Sequence, residues 1–473
     1  MERVLARDER MWFVAQLRGG EPIRSVPRFR HLAQDRLQDL GALQGAWPEI
    51  GEIEQAFGLA KERRPTRDFL LIERGPSNGF FARRVQDERN SVMRVLRVIA
   101  TLDPASGGPA ATLGPITEAL TGYGHMVEVA CLDSAEAPWM KDVSFPVYCL
   151  GPRTTRYGYS RRLSKFLRSN LDHYDCVIVH GIWGFIPYAV WRSSRRSRTP
   201  YVVHPHGMLL PWYNQRYPLS YLKKIIYWLA VEYRVLRDAK AVLFVCEQER
   251  LQAGRTFWPY RCRETVVSYG TAPPGGSGDA QLRSFFGRFP ELENKQLIIF
   301  LGRIHSTKGC DLLIEAFSRI AREVDQAHLL IAGPDEVGWK ETLVKKAQKL
   351  GIDGRITWGG LLTGDVKWGA LRASDVFVLP SHQDNHSVAM AEALACGVPV
   401  LISDKVYIWP EIVADGAGLV GADTVEGTYE LIAGWFKLSR QEQALMRSRA
   451  LRCFEQRYDA SLAASSLARV IES

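Results

Sequence analysis

The chain lacks the cysteine pairs and the long apolar runs that mark several classes of protein. Its eight cysteines are scattered, with no C-x-x-C pair, which argues against a disulfide framework or a zinc site. The longest apolar stretch, CVIVHGIWGFIPYAVW (176–191), contains a histidine, two glycines and a proline, and a membrane span needs roughly 20 apolar residues. The first residues, MERVLARDER, lack the apolar region of a secretory signal. We therefore expect a cytoplasmic protein with reduced cysteines.

Composition and charge give broader bounds. A chain of 473 residues is too long for one core and suggests two domains. Hydrophobic content of 46% with 24% charged residues is ordinary for a soluble globular protein. The net charge of +9 is a mild excess. It fits an acidic ligand or an anionic membrane surface without requiring nucleic acid.

Strand and helix patterns alternate from residue 93 onward, with one interruption. The breaker is TAPPGGSGDA (271–280), a natural linker. Alternation of this kind predicts an α/β fold of two parallel, doubly wound sheets. The candidate strands before the breaker are RVLRVIA, MVEVACL, FPVYCLG, DCVIVHG, PYVVHPHG and AVLFVCE, and those after it are QLIIFLG, HLLIAGP, RITWGG, DVFVLPS, VPVLIS and AGLVG.

The domain boundaries follow from this alternation. We predict one Rossmann-like domain over 93–275, a second over 276–450, and a C-terminal helix in 451–473 that packs back on the first domain. Residues 1–92 differ, being rich in arginine with a single lysine, Lys61. Two interpretations stay open for them. They are a partly helical regulatory or docking extension, or Met93 is the physiological start and the preceding region is poorly ordered.

A Gly-Gly loop follows the first strand of the first domain. In TLDPASGGPA, Gly107 and Gly108 allow close approach to the backbone. The helix that follows offers unpaired amides and the positive end of its dipole, which suits a phosphate. The loop is not G-x-G-x-x-G, so a dinucleotide-binding interpretation is weakly supported. A tight turn without a ligand is the alternative.

Two cations flank the loop after the first strand of the second domain. In FLGRIHSTKGCDLLIEAF they are Arg303 and Lys308, placed before an amphipathic helix. A guanidinium and an ammonium in one loop can neutralise a diphosphate. The loop lacks the P-loop pattern G-x-x-x-x-G-K-[ST]. Two solvated surface cations are the alternative.

Two carboxylates lie eight positions apart in SHQDNHSVAMAEALACGVPV (381–400). Asp384 is in the loop after a strand, and Glu392 is inside an apolar helix. Ser387 is a plausible N-cap, so amides at Asn385, His386 and Ser387 point outward. A buried glutamate needs donors, and ribose hydroxyls are suitable ones. Pairing with a nearby cation is the alternative.

Together these segments resemble one family, the retaining glycosyltransferases of family 4 with the GT-B fold. The match covers about residues 296–422, where the motifs are specific only in combination. The first domain, with its Gly-Gly loop, VIVHGIW and VVHPHGML, is similar to the acceptor domain of members in bacterial exopolysaccharide and lipopolysaccharide assembly. Residues 1–92 are unmatched.

The resemblance implies roles for the donor residues. Arg303 and Lys308 would hold the donor diphosphate, and Glu392 the ribose hydroxyls. The residue eight before it, usually glutamate in the family, would contact the transferred sugar. Here it is Asp384, one methylene shorter, and the usual Phe-Gly after it is replaced by His386 and Ser387. We therefore expect an active site with altered preference for the donor sugar. A degenerate, non-catalytic nucleotide-sugar binder is the competing hypothesis.

Three histidines lie near strand ends. His204 and His206 share one strand terminus, and no carboxylate spacing completes a metal triad with His180. We therefore expect neither a metal nor a cofactor. The resemblance implies that His206, in PHGML, lies in the catalytic cleft, with His180 as a weaker candidate on the acceptor side. Structural histidines bonded to loop carbonyls are the alternative.

The resemblance implies two partners, a nucleoside-diphosphate sugar and a saccharide acceptor, which in the family is often lipid-linked. The resemblance implies front-face attack in which the leaving phosphate takes the acceptor proton. The segment YPLSYLKKIIYWLAVEYRVLRDAK (217–240) mixes aromatic, aliphatic and basic residues. It fits a contact in the plane of the inner membrane face, or a core helix with a basic outer side.

Overall fold

A computed structural model describes residues 92–473 except 154, 156, 212–217 and 336, and only four strands before residue 92. These strands belong to a separate unit, Met1–Ser91. They are β1 (Leu5–Arg7), β2 (Arg10–Gln16), β3 (Asp68–Arg74) and β4 (Phe80–Gln86), and they form an antiparallel sheet in that order. The two interpretations of residues 1–92, a partly helical extension or a poorly ordered region, concern segments that otherwise lie outside the described residues.

The first lobe is built on a seven-stranded parallel sheet in the order β11-β10-β9-β8-β5-β6-β7. Its strands are β5 (Arg94–Val98), β6 (Met126–Cys131), β7 (Val147–Cys149), β8 (Cys176–His180), β9 (Tyr201–His204), β10 (Ala241–Phe244) and β11 (Glu264–Val266). Its helices are α1 (Gly108–Gly122), α2 (Arg161–Asn170), α3 (Phe185–Ser197), α4 (Pro218–Tyr227), α5 (Tyr233–Asp238) and α6 (Glu247–Ala253).

The second lobe has a six-stranded parallel sheet in the order β14-β13-β12-β15-β16-β17. Its strands are β12 (Gln296–Leu301), β13 (Ala327–Ala332), β14 (Ile356–Gly360), β15 (Val376–Leu379), β16 (Val400–Ser403) and β17 (Gly418–Gly421). Its helices are α7 (Gly278–Arg288), α8 (Cys310–Glu323), α9 (Lys340–Lys349), α10 (Gly364–Ala373), α11 (Val388–Ala395), α12 (Trp409–Asp415), α13 (Val425–Lys437) and α14 (Arg440–Cys453).

The predicted fold class is confirmed: both sheets are parallel, with helices on their faces. All twelve predicted strands occur, because central strands buried on both sides read as continuous apolar runs. β13, for example, is buried along its whole length. β11 was not predicted, because it is a three-residue strand at the sheet edge and is only partly buried.

Each sheet reverses its strand order at one place, and this places the site. β5 lies between β6 and β8, and β12 between β13 and β15. Loops that leave the carboxyl ends of strands at such a switch point enclose the ligand crevice of open α/β sheets. The Gly-Gly loop follows β5, the Arg303 loop follows β12, and the Asp384 loop follows β15.

The chain crosses between the lobes twice, at neighbouring places. The Thr271 N–H donates to the Tyr458 carbonyl at 2.9 Å, and the Ala460 N–H donates to the Thr271 carbonyl at 3.0 Å. The last helix, α15 (Ala460–Glu472), then packs on the first lobe, where Leu467 joins a core with Ile116 and Leu120.

Of the helices that the structure describes, none is long and apolar enough to cross a membrane.

Candidate active site

A cleft of about 1070 Å³ lies between the two lobes. Both switch-point loops open into it, together with loops from β9 and β15. All of the predicted catalytic and donor-binding residues line it. They are Gly107, Gly108, His206, Arg303, Lys308, Asp384, Asn385, His386, Ser387 and Glu392.

The Gly-Gly loop brings the start of α1 close to the second lobe. Gly107 has a φ of 104°, and no side chain caps α1. A Cβ atom on Gly108 would lie 3.1 Å from Val388 Cγ2 at the start of α11. The glycines therefore allow two helix N-termini to meet at the cleft, each with amides and a positive dipole end suited to an anion.

The loop after β12 presents Lys308 to the carboxylate opposite. Lys308 ends a short 3₁₀ turn, Ser306–Lys308, and Gly309 follows with a φ of 69°. A side chain at Gly309 would collide with the Pro380 carbonyl. This tight approach of the two loops places Lys308 Nζ 2.5 Å from Asp384 Oδ2. Arg303, from the same loop, also lines the cleft.

The backbone around Asp384 is held from both sides. Its N–H donates to the Lys405 carbonyl at 3.0 Å, and its carbonyl accepts from the Tyr407 N–H at 2.9 Å. Ser387 caps α11 as predicted, its hydroxyl accepting from the Met390 N–H at 3.3 Å. The carboxylate is thus fixed near the switch point by main-chain bonds to the loop after β16.

Glu392 is buried and forms an ion pair with a cation whose identity the sequence did not indicate. Lys367 Nζ lies 2.7 Å from Glu392 Oε1, and Lys367 also lies 4.4 Å from the centre of the Trp368 ring. The alternative of a cation partner is therefore what the structure contains. Lys367 is on α10, 25 positions earlier, and a solitary lysine on an amphipathic helix carries no local signal of a site.

The three histidines form a stack at the ends of β8 and β9. His180 Nδ1 lies 2.9 Å from His206 Nε2, and the rings of His204 and His206 stack with centroids 3.9 Å apart. Burial lowers the pKa of all three, to about 3 for His204. His206 lines the cleft, whereas His180, predicted on the acceptor side, lies behind it and is not among the lining residues. The described residues include no group of three potential metal ligands.

His386, where the family usually has phenylalanine, contacts the residues at both lobe crossings. Its ring centroid lies 5.4 Å from that of Tyr269 and 5.2 Å from that of Tyr458. Burial lowers the pKa of His386 to about 4, so the ring is neutral near pH 7. Asn385 beside it approaches Gly207, where an added Cβ would lie 2.6 Å from the Asn385 Nδ2 atom.

Two families match successive parts of the chain. Residues 107–270 match the family described as "Glycosyl transferase 4-like domain", and residues 284–450 match "Glycosyl transferases group 1". Similar curated proteins include a D-inositol 3-phosphate glycosyltransferase of Mycolicibacterium smegmatis, 33% identical over 183 residues, 37% of this chain and 39% of the relative. A mannosylfructose-phosphate synthase of Agrobacterium fabrum is 29% identical over 23% of this chain and 25% of its own. These matches span less than half of either relative.

Solved structures resemble nearly the whole two-lobed part. Anabaena Alr3699/HepE in complex with UDP and glucose gives a TM-score of 0.63 at 17% identity, over 80% of this chain and 98% of that one. WaaG, a glycosyltransferase involved in lipopolysaccharide biosynthesis, gives 0.58 at 17% identity, over 80% and 99%. At this level of identity the likeness concerns the fold, and it confirms the predicted GT-B architecture.

Proposed function

Because this chain is a glycosyltransferase of the family 4 type, with a 4-like domain followed by a group 1 domain, we propose that it transfers a hexose with retention. The donor is a nucleoside-diphosphate sugar and the acceptor a hydroxyl of a growing, lipid-linked polysaccharide. One observation carries the proposal: the pairs Lys308–Asp384 and Lys367–Glu392 lie in a single cleft with the uncapped start of α1. The cleft thereby combines cations that can bind a diphosphate with carboxylates that can accept hydrogen bonds from sugar and ribose hydroxyls.

Departure of the diphosphate is the step that the cleft would assist. The bond from the anomeric carbon to the phosphate oxygen breaks, and Lys308, Arg303 and the amides at the start of α1 stabilise the charge left on that oxygen. The acceptor hydroxyl attacks from the same face and its proton passes to the leaving phosphate. The protein then needs to provide electrostatic stabilisation and positioning rather than a nucleophile.

Donor binding would exchange the partners of the two ion pairs. In the structure Lys308 pairs with Asp384 and Lys367 pairs with Glu392. A diphosphate, with more charge and more acceptor oxygens than one carboxylate, would attract Lys308 and leave Asp384 to accept bonds from sugar hydroxyls. The pairs keep both carboxylates satisfied until then, which avoids the cost of a buried unpaired charge.

Asp384→Glu is expected to change the preference among donor sugars by about tenfold, because one methylene moves the acceptor oxygens relative to a hydrogen bond of 2.7–3.2 Å. Purified protein would be screened for binding and turnover of UDP-, GDP- and ADP-sugars. Asp353→Glu, at an exposed position of the second lobe that does not line the cleft, is the matched control. A donor that is turned over identifies the substrate. Binding without turnover would favour the competing function, a nucleotide-sugar-binding protein, and absence of any binding would refute the proposal.

An exposed apolar patch with basic neighbours on the first lobe supports the lipid-linked acceptor. Leu222 and Ile226 of α4 are 62% and 66% exposed, and Trp258 is 87% exposed. Trp258 is next to Phe257, which packs on Trp228 and on Tyr221 of α4, so it lies near this helix. Lys223 is exposed beside it. Such a surface suits an anionic lipid interface, and Lys224 of the same helix reaches the cleft.

Ile226→Glu is expected to weaken binding to vesicles of anionic phospholipid by about tenfold or more, since one buried large aliphatic side chain contributes about 1.5–3 kcal/mol. Cosedimentation measures the partition coefficient. Leu445→Glu introduces the same charge at an exposed position of the second lobe and should have no effect. Equal partitioning of both variants would rule out this face as the membrane contact.

A further inference from the structure

We propose that Arg97 and His180 are positioning residues that hold His206 as a neutral imidazole protonated at Nδ1. In this form His206 is a hydrogen-bond donor to the substrate and not a proton acceptor. The inference rests on the proposed function, because the group that His206 would meet in the cleft is a hydroxyl oxygen of a bound sugar.

The chain of bonds starts at Arg97, a central residue of β5 that is 1% exposed. Its guanidinium donates to the Leu113 carbonyl at 2.8 Å and to Thr117 Oγ1 at 2.7 Å, both on α1. Its Nε donates to His180 Nε2 at 3.3 Å. A guanidinium has donors only, so His180 Nε2 is an acceptor. The proton of a neutral His180 ring is therefore on Nδ1.

The next bond transfers this constraint to His206. His180 Nδ1 and His206 Nε2 are 2.9 Å apart. Because His180 Nδ1 carries the proton, it donates the hydrogen bond and His206 Nε2 accepts that bond. The proton of a neutral His206 ring is therefore on Nδ1. Among the residues that the structure describes, Nδ1 has no hydrogen-bond partner, and His206 lines the cleft. The free donor is thus available to a ligand.

The backbone holds the ring in this place. His206 has a φ of 51°, in the left-handed region that residues other than glycine rarely adopt. Such a conformation persists only where the surroundings enforce it. The next residue, Gly207, donates its N–H to the buried Glu249 carboxylate at 2.7 Å. The turn is thereby fixed independently of the ring's own hydrogen bond.

The groups around His206 oppose its protonation. Burial lowers its pKa well below the ordinary value, and Arg97, His180 and His204 lower it further because a second charge there would be repelled. Glu249 is the nearby acid, and burial raises its pKa to about 7. His206 therefore stays neutral near physiological pH. The ionisable groups that face it are Arg97, His180, His204 and Tyr269. Glu249 binds the N–H of Gly207, and His386 lies against Tyr269.

Two amide substitutions at His180 separate the two bonds. In His180→Asn the amide nitrogen takes the place of Nδ1 and can still donate to His206. In His180→Gln the amide takes the place of Nε2, so it retains Arg97 and loses His206. Both variants are neutral and polar, so thermal unfolding should be alike. We expect His180→Gln to lower kcat by about tenfold to fiftyfold with unchanged donor Kd, and His180→Asn to retain at least about half of kcat.

The pH profile adds a readout that a merely structural role would not change. With Nε2 of His206 released, the neutral ring can carry its proton on either nitrogen, whereas a protonated ring always has the Nδ1 donor. The deficit of His180→Gln relative to His180→Asn should therefore shrink as the pH falls from 7 to 5. The ratio of wild-type activity to His180→Asn activity should stay constant over that interval, even if all three proteins lose some activity at low pH. Equal activity and equal profiles for the two variants would overturn the proposal.

Nitrogen-15 NMR of the histidine rings tests the same chain without any turnover. We expect the Nδ1–H form of His206 in the wild-type protein, in His180→Asn and in Arg97→Lys, which keeps a donor and a charge. A mixture of the two neutral forms is expected in His180→Gln. An Nε2–H ring in the wild-type protein would refute the inference. If this ring has the expected form while no nucleotide sugar is bound or turned over, the positioning chain stands and the proposed function fails.

Discussion

Lys308→Met is expected to lower kcat by about 10²–10³-fold, the loss typical of removing one preorganised group that stabilises developing negative charge. Methionine keeps much of the side-chain length and removes the ammonium. The donor KM should change much less, because the charge on the leaving diphosphate grows mainly in the transition state. Release of nucleoside diphosphate under saturating acceptor measures both constants.

Two controls make this result specific. Lys345→Met removes an exposed lysine that pairs with Glu341 on α9, and it should leave kcat unchanged. Lys308→Met also leaves Asp384 without its cation, so the double variant Lys308→Met/Asp384→Asn is needed. If the double variant recovered most of the activity, the loss would come from the unpaired carboxylate, and the proposed role of Lys308 would be wrong.

Glu392→Gln is expected to weaken donor binding by about 100-fold. A hydrogen bond to a charged group contributes about 1.5–3 kcal/mol, and the proposed carboxylate accepts bonds from ribose hydroxyls. At saturating donor, kcat should fall much less, since the ribose is far from the bond that breaks. Calorimetric titration with the donor found in the screen gives the dissociation constant.

A 2′-deoxy donor completes a double-mutant cycle for Glu392. Wild-type protein should bind it about tenfold more weakly than the ribose form, and Glu392→Gln should bind the two equally. Lys367→Met is the matched control, because it removes the cation partner and leaves the carboxylate in place. It should still discriminate between the two donors. A Glu392→Gln protein that kept full discrimination would show that another residue holds the ribose.

The sequence predicted the features that depend on residues close together in the chain. A strand buried on both faces reads as an apolar run wherever it pairs, so the central strands of the two parallel sheets were predictable from their own residues. The loops with Gly107, Arg303 and Asp384 were also identifiable, because the carboxyl ends of parallel strands at a switch point share one edge of a sheet. Ser387 was recognisable as a helix cap from its own position.

Partners from distant segments were not predictable in this way. Lys367 is an ordinary lysine on α10 until the fold brings it to Glu392. The resemblance implied His180 as a weaker candidate on the acceptor side, and only the structure shows its bonds to Arg97 and His206. The apolar run of β5 does not indicate that Arg97 donates hydrogen bonds to three acceptors on α1 and β8.

By itself, then, the sequence determined which segments form strands and helices, and which loops carry charge and glycine to the sheet edges. Only the tertiary structure decided which charged group neutralises which, and which nitrogen of His206 carries the proton. The physical reason is range: backbone preference and burial pattern act between neighbours in the chain. A buried ion pair or hydrogen bond depends on distances of a few ångströms between residues that are far apart in sequence.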